Sequence, residues 1–213
     1  IVTGDTKVVE KGHGDGVYIT TTGIGERIAD HLIAGSAARP GDKVLVSGSI
    51  GDHGMTVMSL REDMSFITSL QSDCAPLGEM VERVLAAAPN AHVLRDPTRG
   101  GLGTTLNEIA AESRVGITLQ EKAIPVKDEV RSACEFLGLD PLYSACEGRL
   151  IAIVPADEAD AALAAMKQDP HGAEASIVGE VHADAPGFVD MVTLMGGRRM
   201  VDWLTGEQLP RIC

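Results

Sequence analysis

Residues 95–103, Arg-Asp-Pro-Thr-Arg-Gly-Gly-Leu-Gly, combine residue types suited to a nucleoside phosphate. Gly100 and Gly101 let backbone N–H groups approach an anion closely, and the helix predicted after them adds its positive N-terminal dipole. Asp96 offers the hard oxygen that Mg²⁺ prefers, and Arg99 a guanidinium that can pair with phosphate. The stretch is neither a P-loop nor a dinucleotide fingerprint, and an ordinary glycine-rich strand-to-helix turn reads the same way. A second cluster, Thr3-Gly4-Asp5-Thr6-Lys7, can bind a metal-nucleotide. Lys7 serves as a base there if burial or a cationic neighbour lowers its pKa; otherwise it is a solvated lysine in a turn. Glu147, in Cys146-Glu147-Gly148-Arg149, sits in a loop feeding an apolar strand and is a candidate general base, the alternative being a surface ion pair with Arg149. In Gly48–Gly54, Asp52 reads as a helix N-cap and His53 receives no role. The sequence ends on Cys213, after a segment that Pro210 keeps extended. Such a thiol is tethered on one side only and can swing into a pocket, or it is incidental.

The elements that must position these residues follow from periodicity. Lys43 to Ser47, "HVLRD", "VGITL" and "RLIAIV" read as strands, as does 16–22. Helices are expected over 54–60, 76–88, "LNEIAAES", 127–137 and "PADEADAALAAMKQ", the clearest carrying Leu77, Met80, Val81, Val84, Leu85 and Ala88 on one face. Ala175 to Trp203 reads as two or three strands around turns. Helices and strands alternate irregularly, so the class is α/β or mixed α+β. The turn at 38–42 is the best boundary: 1–38 reads as a remnant of another domain, 42–204 as an α/β domain and 205–213 as a tail.

At 44% hydrophobic and 3% aromatic content, the core must be aliphatic. A net charge of −13 argues against nonspecific binding to nucleic acid or an anionic membrane. No apolar run is long enough for a bilayer span and no secretory signal is seen. Cys74, Cys134, Cys146 and Cys213 form no CxxC pair and read as reduced thiols in the cytoplasm. The opening Ile-Val-Thr-Gly-Asp reads as a strand running into a loop, so an N-terminal part is expected to be absent.

"VTGDTKVV", "TTGIG", "PGDKVLVSGSIGDHG", "RDPTRGGL", "EGRL" and the terminal "PRIC", in this order, resemble the HypE family of hydrogenase maturation proteins, which are carbamoyl dehydratases. That family belongs to the superfamily of aminoimidazole ribonucleotide synthetase. The resemblance implies a two-domain α/β fold, of which this chain lacks most of the N-terminal domain, a homodimer in the full-length protein, and ATP bound between domains. It implies that a carbamoyltransferase, HypF, loads Cys213, that ATP-dependent dehydration turns the S-carbamoyl group into a thiocyanate, and that cyanide passes to a HypC–HypD scaffold complex. Asp5, Thr6, Asp96, Thr98, Arg99, Gly100 and Gly101 then serve ATP, with Asp5 and Asp96 also holding Mg²⁺. Lys7 and Glu147 become the candidate bases and Cys213 the substrate carrier. The rivals are a superfamily enzyme acting on a free substrate, of selenophosphate synthetase or small-molecule kinase type, and a non-catalytic docking fragment.

Overall fold

In the computed structural model, residues 22–26, 29–61 and 70–204 are described. The turn at 39–42 is held from two sides by the Asp42 carboxylate, which accepts from Arg39 N (2.8 Å) and lies 2.8 Å from His92 Nδ1. It launches strand β1 (Lys43–Val46) into the middle of a seven-stranded sheet. The other strands are β2 (Val93–Arg95), β3 (Gly116–Gln120), β4 (Ile151–Val154), β5 (Ser176–His182), β6 (Val189–Val192) and β7 (Arg198–Met200), in the order β2-β4-β1-β5-β3-β6-β7. All pairings are antiparallel except β3 with β6.

The central strands are buried on both faces, so the period-2 alternation divides their side chains between two cores. Val44, Val46, Ile151 and Ile153 face a layer completed by Leu102, Leu106 and Ile109 of α3 (Gly101–Ser113). Leu45, Ala152 and Val154 face the opposite layer, built from Met80 and Val84 of α2 (Gly78–Ala87) and Ala159, Ala162 and Met166 of α5 (Ala159–Lys167). A smaller cluster joins Met55 of α1 (Asp52–Arg61) to Val130, Ala133 and Cys134 of α4 (Asp128–Leu137). The expected mixed α/β class is the one observed.

Boundaries differ where local chemistry outweighs periodicity. α3 begins five residues before the predicted "LNEIAAES", because Gly100 adopts a left-handed conformation (φ +69°) that redirects the chain into the helix. α5 begins at Ala159, since Ala156–Glu158 form a turn after Pro155. The predicted strand at 16–22 lies almost wholly outside the described residues. Among the described residues no helix is long and apolar enough to cross a membrane.

Cys134 is 1% exposed, and burial, with Asp140 adding, pushes its thiol up to about 11, whereas Cys74 is exposed. The thiolate is the reactive species. Iodoacetamide at pH 8 is therefore expected to label Cys74 rapidly and Cys134 only on unfolding, as read by peptide mass spectrometry.

Candidate active site

Three loops from distant parts of the chain meet at one end of the sheet. The β2–α3 loop carries Asp96 to Gly101. The loop before β4 carries Cys146 to Arg149. The start of α1 carries Asp52 and His53. Backbone contacts join them: Cys146 N donates to Pro97 O (3.2 Å), Gly54 N to Ala145 O (3.0 Å), and Gly51 N to Cys146 Sγ (3.3 Å). Gly101 completes the seam. Its φ is +61°, and a Cβ there would lie 2.5 Å from Leu142 O and 2.6 Å from Ser144 O. Gly101 therefore lets this backbone lie against residues 142–144.

Asp96 is exposed and reaches two donors within its own segment. Oδ1 accepts from Arg95 (2.7 Å) and Oδ2 from Thr98 Oγ1 (2.7 Å). Partial burial works to raise its pKa, but these hydrogen bonds and the Arg95 charge outweigh it and hold the carboxyl below the usual range. Arg99 is exposed beside it. The first turn of α3 carries no acidic residue and Gly100 supplies no side-chain cap, so its positive end is not neutralised from within. An ionised hard-oxygen ligand beside an uncapped helix N-terminus suits a magnesium-bound phosphate, because Mg²⁺ takes one or two carboxylates and completes its shell with phosphate and water. Among the described residues no three His, Cys, Asp or Glu side chains converge on a metal site.

Glu147 lies across the seam. Its Oε1 is buried without a hydrogen-bond partner among the described residues. Burial pushes its pKa up; His53 opposes this, and the negative charges of Asp73 and Asp96 add to it. The alternative of a surface ion pair with Arg149 does not hold. Arg149 is buried, its Nε donating to Ser49 O (2.7 Å) and its Nη2 to Ser49 Oγ (3.1 Å) and Asp52 Oδ2 (3.3 Å). Asp73 Oδ2 stands 3.8 Å from the same guanidinium. Asp52, expected to cap α1, is instead its first residue, and its carboxylate also takes Ser49 Oγ (2.6 Å) and Lys127 Nζ (2.6 Å).

Asp5, Thr6, Lys7 and Cys213 lie outside the described residues. Asp96, Thr98, Arg99, Gly100, Gly101 and Glu147 are gathered at the seam. Sequence reasoning missed Ser72, Asp73 and the contact of His53 with Ser72. Ser72 Oγ lies 2.9 Å from His53 Nδ1, and Asp73 Oδ1 accepts from Glu147 N (2.8 Å) and Gly148 N (3.3 Å). These contacts span 19, 74 and 75 residues, and nothing local in Ser-Asp-Cys-Ala-Pro signals them.

A mixed sheet with a glycine-rich strand-to-helix loop at one end defines the class. Residues 39–191 match the family described as AIR synthase related protein, C-terminal domain, and the chain belongs to that family. It is similar to the carbamoyl dehydratase HypE of Azotobacter vinelandii, 60% identical over 213 residues, which cover all of this chain and 62% of the relative. The chain thus spans about three fifths of the length of that relative. A crystal structure of the hydrogenase maturation protein HypE in complex with ATP matches with a TM-score of 0.81 and 49% identity, covering 85% of this chain and 55% of the other. The crystal structure of a HypE–HypF complex matches with a TM-score of 0.77 and 45% identity, covering 81% and 56%. The likeness to HypE read from the motifs is borne out.

Proposed function

We propose that the chain is part of an ATP-dependent carbamoyl dehydratase that matures [NiFe] hydrogenase. Residues 42–204 are its C-terminal domain, and the whole protein works in the cytoplasm as a homodimer. One observation carries the chemistry: Glu147 Oε1 is buried without a partner among the described residues, on a loop bonded to the one that bears Asp96. A carboxylate left unsatisfied in a partly desolvated site suits a base awaiting an N–H group. The similar structures containing ATP and HypF support the cosubstrate and the carbamoyltransferase.

In this reading HypF carbamoylates the Cys213 thiol. The carbonyl oxygen of the S-carbamoyl group attacks the γ-phosphorus of ATP, because an amide oxygen is a poor leaving group until phosphorylated. One N–H proton is lost as the imidate phosphate forms. The second is lost as phosphate departs and the C≡N bond closes, leaving an S-bound thiocyanate. Gly100, Gly101 and the N-terminus of α3 bind phosphate oxygens, Arg99 pairs with them, and Thr98 holds Asp96 in place. Asp96 and Asp5 would hold Mg²⁺ while Thr6 serves the nucleotide, and the metal would offset charge on the transferring phosphoryl group. Glu147 takes protons from nitrogen, with Lys7 the other candidate. The cyanide then passes to a HypC–HypD scaffold.

Intact-protein mass spectrometry tests this. The chain, alone and fused behind the N-terminal part of the A. vinelandii relative, is incubated with HypF, carbamoyl phosphate and ATP. A carbamoyl adduct on Cys213 that loses water only with ATP is expected of the fusion. The absence of any adduct on Cys213 in either form would overturn the reading in favour of a free-substrate enzyme.

A further inference from the structure

Two protons leave one nitrogen in each turnover of the reaction just proposed, and a single carboxylate holds one. If Glu147 takes both, it needs an outlet between them. The structure places one beside it. His53 lies between Gly51 and Gly54, whose N–H groups donate to Cys146 Sγ and Ala145 O, the two residues before Glu147. From the other side, consecutive residues grip both groups: Ser72 bonds His53 Nδ1 (2.9 Å), and Asp73 accepts from Glu147 N (2.8 Å). Gly148 has no room for a Cβ against Asp73 O and Ala75 N, so segment 72–75 lies directly on the Glu147 loop. His53 Nε2 is buried and, like Glu147 Oε1, has no hydrogen-bond partner among the described residues.

We propose that His53 relays protons from Glu147 to solvent, with Ser72 and Asp73 as the positioning residues that hold the pair together. The inference rests on the dehydratase reading. With Nδ1–H donated to Ser72 Oγ, which also accepts from Cys74 N (3.1 Å), Nε2 carries the lone pair. Oε1 and Nε2 are not hydrogen-bonded to each other, so a water between them takes the proton from Glu147 as it gives one of its own to Nε2, giving imidazolium and restoring the carboxylate. The imidazolium gives its Nδ1 proton to Ser72 Oγ as the exposed Ser72 hydroxyl passes its own to water, and the ring regains the Nδ1–H tautomer by exchange with solvent before the next turnover. The charged groups around Glu147 are His53 from α1, Asp73 from the segment before α2 and Asp96 from the β2–α3 loop; Arg149, further along its own loop, pairs with Asp73. Replacing His53 removes the influence that opposes the rise in the Glu147 pKa.

The test follows dehydration of the preloaded carbamoyl adduct in the A. vinelandii fusion, in single turnover by mass spectrometry. His53→Gln, which keeps a polar side chain but cannot carry the proton, is expected to slow dehydration by about tenfold or more, at the low end of or below an acid–base contribution. The acid limb of its pH–rate profile should move to higher pH. Imidazole added to His53→Ala should restore much of the lost rate. A His53→Gln rate within about twofold of the parent would overturn the relay, as would a His53→Ala defect that imidazole leaves untouched, since packing alone would explain it. A parent fusion that loads Cys213 but never dehydrates it would bring down the dehydratase reading and this inference with it.

Discussion

Glu147→Gln is expected to slow dehydration of the carbamoyl adduct by about 10²–10⁴-fold while leaving the adduct itself in place, the range for loss of a positioned base. Glutamine preserves the shape, so the backbone bonds from Glu147 N and Gly148 N to Asp73 have no reason to break. What disappears is an acceptor that can hold a proton. Intact mass after a timed ATP pulse reads this directly, because the carbamoyl form accumulates instead of the dehydrated one. The pH dependence of the unmodified protein has a fixed sign. In the proposed reaction Glu147 works as the carboxylate, and burial, reinforced by Asp73 and Asp96, raises its pKa. The rate should therefore fall on acidification, beginning at a higher pH than for an ordinary glutamate. A Glu147→Gln variant that dehydrates at the parent rate would transfer the role to Lys7.

Arg149→Ala is expected to cost about 3–5 kcal/mol of stability, as for other buried pairs broken on one side. Its guanidinium is the countercharge that reaches both Asp52 and Asp73, whose side chains are 0% exposed. Lys127 Nζ, 2.6 Å from Asp52, can still pair with it after the substitution, but among the described residues Asp73 keeps only its backbone donors. Urea unfolding measures the loss. A second readout separates charge from packing. Burial already raises the Asp73 pKa and Arg149 lowers it, so removing Arg149 raises it further. A folded-state pKa above the unfolded one makes stability fall as pH rises through that window. The variant's deficit should then narrow as pH is lowered toward the unfolded pKa. A deficit that stays constant with pH would mean that lost packing dominates.

Much of the scaffold was legible because its signals are local. The β-branched run "RLIAIV" and the helical stripe from Leu77 to Ala88 each declare an element without reference to the rest of the chain. Glu147 could be singled out by the same logic, as an acid in a loop feeding a buried strand. The wiring behind it could not. Arg149 meets Asp52 across 97 residues, and Asp73 meets Glu147 across 74, and no periodicity encodes such pairings. The glycine loop was ambiguous for a physical reason. The freedom that lets Gly101 lie against residues 142–144 is the same freedom that lets a loop approach phosphate, so one sequence pattern describes both. The segment carrying Asp5, Thr6 and Lys7, and the tail ending in Cys213, lie outside the described residues.

The seam of Gly101 against residues 142–144 has a consequence for how this domain can change over time. The loop that carries Asp96 and the segment leading to Glu147 meet at a boundary where Gly101 leaves no space for a β-carbon against residues 142–144, so neither can be lengthened or exchanged independently. A lineage altering the chemistry of this site must keep the geometry at both sides of that boundary while it varies the groups that overhang it. Chemical novelty is then steered away from the seam, toward residues such as His53 and toward whatever chain delivers the substrate.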